Sequence, residues 1–234
     1  MLLFAGVFLA GGRVHPLRLF TGSRRSALSF GAGVSTAYVF VRVLPELHDA
    51  RMDVVEAMSG GPLPFEGKII YFLALLGFLS FYGLDHLRAR LGEGEGEGRE
   101  QASFRLHLAG FGAYVALLAY LLVRDPFEST ALLALYAVTI AVHLLGVDHS
   151  LRLEHGPAYE RSGRFVLAGM AAFGWVLGLV IALQPVVTAS LVAIISGAII
   201  MNSAIMELPP EKDGRFVPFV TGGMVYGALL MLVG

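Results

Sequence analysis

The chain alternates long apolar runs with short charged links, and that alternation most limits what it can fold into. The apolar segments cover roughly 2–11, 26–45, 66–87, 103–123, 130–149, 164–183, 187–207 and 215–233. A bilayer core requires about 20 apolar residues per helix, and seven of these segments meet or approach that length. Charged residues make up 15% of the chain, against about a quarter in soluble domains. Lipid offers no partner to an open sheet edge, so the segments are expected to be helices. The expectation is an all-α polytopic membrane bundle of about eight spans, forming one transmembrane domain over residues 1–234.

The first segment, "MLLFAGVFLAGG", is too short to cross a bilayer alone at about 1.5 Å per residue. It also lacks the positive leading residues of a secretory signal. A truncated or partly crossing helix is expected there.

The links set the direction of the spans. Arg13, Arg18, Arg24 and Arg25 lie in the first link, and Arg88, Arg90, Arg99 and Arg105 in the third. Arg152, Arg161 and Arg164 follow in the fifth, then Lys212 and Arg215 in the seventh. The alternate links hold only Arg51, Lys68 and Arg124. Because Lys and Arg concentrate on the cytoplasmic side, the odd links are expected inside a cell membrane and the C-terminus outside. Residues 92–101, which include the alternation "GEGEGEG", are expected to be a flexible cytoplasmic linker. The acidic outer link "PELHDARMDVVEAMSGG" reads as a solvated loop.

Other classes are excluded or unsupported. With no cysteine in the chain, thiolate metal sites, disulfides and thiol catalysis are ruled out. No His-Glu-x-x-His, Gly-x-Ser-x-Gly or Walker pattern occurs. Neither an enzyme, an organic cofactor nor a nucleic-acid partner is expected; the lipid bilayer is, and a homodimer is an allowed assembly.

Two spans share a pattern. "LSFGAGVSTAYVFVRVLPEL" places Gly33 twelve positions before Pro45, and "IISGAIIMNSAIMELPPEK" places Gly197 twelve before Pro209. Each is followed by a turn and a Phe-containing apolar segment. These are the second and seventh spans, so they run in opposite directions. The pattern predicts an inverted repeat of spans 1–3 and 6–8, an architecture in which substrate sites lie near the midplane between halves. Proline lacks the N–H that would continue a helix, so each Leu-Pro is expected to act as a stop. Arg42 and Glu207, just before those stops, are expected to snorkel to opposite interfaces.

Those same two segments resemble the second and seventh helices of the ZIP family of divalent metal transporters. Eight spans, external termini and a variable cytoplasmic link after the third helix are similar to that family's plan. The resemblance implies passage of zinc or another divalent cation into the cytoplasm, through ligands on the fourth and fifth spans. His143 and Asp148 fall at two of those ligand positions in the fifth span. The fourth span, "LHLAGFGAYVALLAYLLVRD", offers only His107, near its start. On this reading Glu46 stands at the outer entrance, Glu207 at the inner exit, and Asn202 along the path. The alternative is a ZIP-like membrane protein that is transport-incompetent or differently selective.

Ligand-type side chains also gather at the cytoplasmic ends of spans three and five. "GLDHLRAR" and "GVDHSLRLEH" share Gly-x-Asp-His. Imidazole and carboxylate together suit zinc or another first-row divalent metal. Asp85 or His86 with Asp148 or His149 would draw ligands from two helices, with His155 joining if the chain breaks at Gly156-Pro157. Against this, Asp148 stands four residues before Arg152, the spacing of an ordinary helical ion pair.

Overall fold

Residues 1–11, 24–57, 67–92, 97–124, 130–203 and 214–233 are described by a computed structural model. Among them the apolar segments are helical and no strand occurs. Helix α1 spans Leu2–Ala10 and α2 spans Arg24–Tyr38, which runs through a π-helical stretch, Val39–Val43, into α3, Leu44–Ala57. Then come α4 (Ile69–Gly92), α5 (Glu97–Arg124) and α6 (Thr130–Ala158). A second π-helical stretch, Tyr159–Gly163, leads into α7 (Arg164–Val180), followed by α8 (Pro185–Met201) and α9 (Phe216–Val233).

Four continuous helical runs are long and apolar enough to cross a membrane: Leu28–Ala57, Ile69–Leu91, Gly98–Arg124 and Tyr136–Val180. Pro185–Met201 and Phe216–Leu232 are shorter and equally apolar in character. The exterior is greasy, exposing Phe40, Phe72, Phe173, Val180, Phe216 and Leu232, whereas Thr139, His143, Asp148 and Asn202 are buried. So large an apolar exterior suits lipid rather than water. The protein is a membrane-embedded helical bundle.

The chain departs from the sequence expectations at three places. Pro45 does not stop its helix. In the π-helical stretch before it, the Leu44 N–H reaches back to the Val39 carbonyl. The ladder is thereby shifted by one residue just where Pro45 has no N–H to give. The link after Pro45 is accordingly not a loop up to Ala57: Leu47, Ala50 and Val54, at helical spacing, pack with Ile70, Ala74, Ala189 and Ala193. Of the link expected over 92–101, Gly92 closes α4 and helix resumes at Glu97. Residues 93–96, 58–66 and the segment bearing Glu207 and Pro209 lie outside the described residues.

Within the Tyr136–Val180 run, Gly156 adopts φ 43° and ψ −120°, and Pro157 follows it. Only glycine takes that conformation without strain, and proline suits a helix's first turn. Together they end one helix, start the next and fold the chain back. Helix α1, at nine residues about 13 Å long, packs against both α6 and α7.

Two close helix crossings organise the rest: α2 lies against α9, and α4 against α8. A Cβ on Gly33 would strike the carbonyl of Phe219, and one on Gly222 would strike that of Phe30. At the other crossing a Cβ on Gly197 would strike the carbonyl of Ala74, and one on Gly77 that of Ile194. In all four cases the struck carbonyl lies three residues before the facing glycine. Glycine is needed here because backbone touches backbone, the contact that drives association where water cannot.

Candidate functional site

Helix α6 carries a buried polar stripe at the core of the bundle. Tyr136, Thr139 and His143, spaced by three and four residues, share one helix face. The Thr139 hydroxyl hydrogen-bonds the Tyr226 hydroxyl of α9. His143 Nε2 lies 2.6 Å from the Tyr114 hydroxyl of α5. Tyr136 packs 6.4 Å from the Tyr38 ring, and Arg42 lies 5.0 Å over Tyr136. Arg42 also pairs at 3.7 Å with Glu46, one turn on. The stripe thus joins the Arg42–Glu46 end of the bundle to His143.

His143 is 6% exposed, and its ring lies 5.9 Å from that of Tyr114. Tyr114 packs 5.3 Å from Phe81 and 6.1 Å from Phe111, both edge-on or tilted. Among the described residues no second imidazole or carboxylate joins His143 in a three-ligand group.

Asp148 lies deeper in a network of its own. Arg152 donates to it from Nε at 2.6 Å and from Nη2 at 3.2 Å, and the Tyr159 hydroxyl donates at 2.7 Å. Arg152 further reaches Glu160 and the Phe8 carbonyl. The carboxylate therefore meets three donors and ties α1, α6 and the following π-helical stretch together. The i,i+4 spacing to Arg152 was legible in the sequence; the Tyr159 donor needed the fold at Gly156.

Among the described residues, the Asp-His pairs at Asp85-His86 and Asp148-His149 form no three-ligand group. Asp85 accepts two bonds from Arg88, at 3.0 and 2.9 Å. His86 is exposed and stacks on Tyr82 at 6.3 Å. His149 is half-buried beside Asp148 in sequence. His155 instead turns to α5, its Nε2 lying 3.0 Å from His107 Nδ1. Glu154, which spacing rules did not single out, stands beside that pair.

Asn202 is buried at the end of α8, where the helix again widens to π geometry over residues 202–203. Ser203 hydrogen-bonds Ser35 of α2 at 3.1 Å. Glu207 lies outside the described residues. Neither a known protein family, a curated protein nor a solved structure matches this chain.

Proposed function

We propose that this protein is a ZIP-like membrane transporter for a divalent cation such as zinc, built as an inverted repeat of spans 1–3 and 6–8 around a polar interior. The observation that carries the reading is the pair of glycine crossings. Gly33 and Phe30 on the second span correspond, at one constant offset, to Gly197 and Ile194 on the seventh. Gly222 and Phe219 on the eighth span correspond likewise to Gly77 and Ala74 on the third. Exchange of the two halves turns one crossing into the other, as common ancestry with opposite orientation requires. The π-helical widening recurs too, at Val39–Val43 and at residues 202–203.

In this reading the basic links face the cytoplasm, and the α6 stripe lines a route from Glu46 inward to His143. Rocking of one half against the other moves the ion down its gradient without ATP. Purified protein in liposomes tests it: zinc and cobalt uptake above empty vesicles is expected, with a large loss in His143→Ala. Equal, protein-independent leak in all three samples sinks the proposal.

A second reading, a ZIP-like protein with another cargo or none, is favoured by the engagement of His143 with Tyr114 and of Asp148 with Arg152 and Tyr159. Protein-dependent uptake of an uncharged solute but not of metals would favour it.

A further inference from the structure

We infer that His107, Glu154 and His155 form a binding site for a zinc-like divalent cation at the cytoplasmic ends of α5 and α6. His107 lies about three turns into α5, and the other two lie in the last turn before the break at Gly156. The three side chains present ligating atoms that all lie within 4.8 Å of one another. His107 Nδ1 is 3.0 Å from His155 Nε2 and 3.3 Å from Glu154 Oε2. Zinc at about 2.0–2.1 Å from each ligand holds tetrahedral neighbours about 3.3 Å apart. The two edges from His107 lie at or just below that spacing and the third is no longer than 4.8 Å, so a small movement of the rings admits the ion.

The donor set points the same way. Whichever ring nitrogen carries the proton, one hydrogen between the two rings cannot serve all three atoms equally, whereas one cation satisfies them together. Two imidazoles and a carboxylate select zinc, cobalt or a similar metal over calcium or magnesium. Three protein ligands leave a fourth position open, the pattern of exchangeable rather than closed structural sites. Cysteine cannot complete the shell, because the chain has none.

The surroundings orient the ligands. The Phe111 ring packs edgewise against His107 with centroids 4.8 Å apart, and that of Phe104 against His155 with centroids 5.1 Å apart. Arg88 of α4 pairs with the other oxygen of Glu154, Oε1, which leaves Oε2 turned toward His107. Outer-sphere partners of this kind fix the direction of a ligating carboxylate. Arg88 also bonds Asp85, so two carboxylates stand against one guanidinium and the local charge favours a dication. Glu154 is 22% exposed at its side chain and His107 2%: the ion enters past the carboxylate and ends against the buried ring.

This site does not depend on cation passage and is distinct from the stripe at His143. The test uses full-length protein in detergent, titrated with cobalt(II) and followed by its visible ligand-field bands. Wild type is expected to take up one equivalent, displaced by zinc. His107→Gln and His155→Gln should each weaken binding by roughly 10–100-fold or more, given that even outer-sphere changes have that effect. His48→Gln, at an exposed position of α3, should bind as wild type does. X-ray absorption at the zinc edge of loaded wild type, which needs no variant, should report two imidazoles. Failure of wild type to bind one equivalent, unchanged binding in both His variants, or an all-oxygen shell overturns the site. Loss of binding here with intact liposome uptake would leave the transport proposal standing.

Discussion

Asp148 and Arg152 face each other side-on, Nε to Oδ2 at 2.6 Å and Nη2 to Oδ1 at 3.2 Å, one helical turn apart. Asp148 is 2% exposed and the Arg152 side chain 12%. Removing one partner of a buried pair leaves the other charge uncompensated, at about 3–5 kcal/mol. Arg152→Ala is therefore expected to lower the thermal unfolding midpoint in detergent strongly, and more than Tyr159→Phe, which removes one donor to the carboxylate at about 1.5–3 kcal/mol. Equal midpoints for Arg152→Ala and wild type would show the pair to be energetically idle.

The two glycine crossings make matched predictions. Gly33→Ala and Gly197→Ala each drive a methyl into a facing carbonyl, and overpacking of this kind costs about 1–3 kcal/mol. Gly31→Ala, where a Cβ would meet nothing within 4 Å, should be neutral or slightly stabilising through helix propensity. Denaturation of the three variants side by side checks the ranking.

Gly156 bends the chain at φ 43°. An L-residue there is strained by about 1–2 kcal/mol. Gly156→Ala should destabilise the α6–α7 turn, read as faster backbone amide exchange around Asp148 and Tyr159. Pro157→Ala should have a smaller effect, since any residue fits a first helical turn.

The absence of cysteine makes the orientation directly testable. A single cysteine at exposed position Glu100 should be labelled by a membrane-impermeant maleimide only from the cytoplasmic side of intact cells or vesicles. One at exposed position Asp53 should be labelled only from the opposite side. The reverse pattern would invert the assigned topology.

Tyr114→Phe removes the hydroxyl 2.6 Å from His143 Nε2. The hydrogen bond fixes which ring nitrogen carries the proton. Nitrogen chemical shifts of His143 should move, with a stability loss of about 1 kcal/mol.

Membrane class, helical spans and the glycine-marked segments follow from the sequence alone, because each depends on local composition. An apolar run of bilayer length has few alternatives in lipid. A glycine at helical spacing marks where backbones approach. The Leu-Pro stop failed as an inference at Pro45 for a local reason of another kind: a one-residue π shift accommodates proline and leaves no trace in spacing.

Which polar groups meet was decided only by tertiary structure. His143 and Asp148 share a helix but meet different partners, Tyr114 for one and Arg152 with Tyr159 for the other. His107 and His155 stand 48 positions apart, and Glu154 joins them through the rotation of α6 against α5. Spacing along a helix fixes which side chains share a face; only the crossing of two helices, set by close backbone packing elsewhere, fixes which faces see each other.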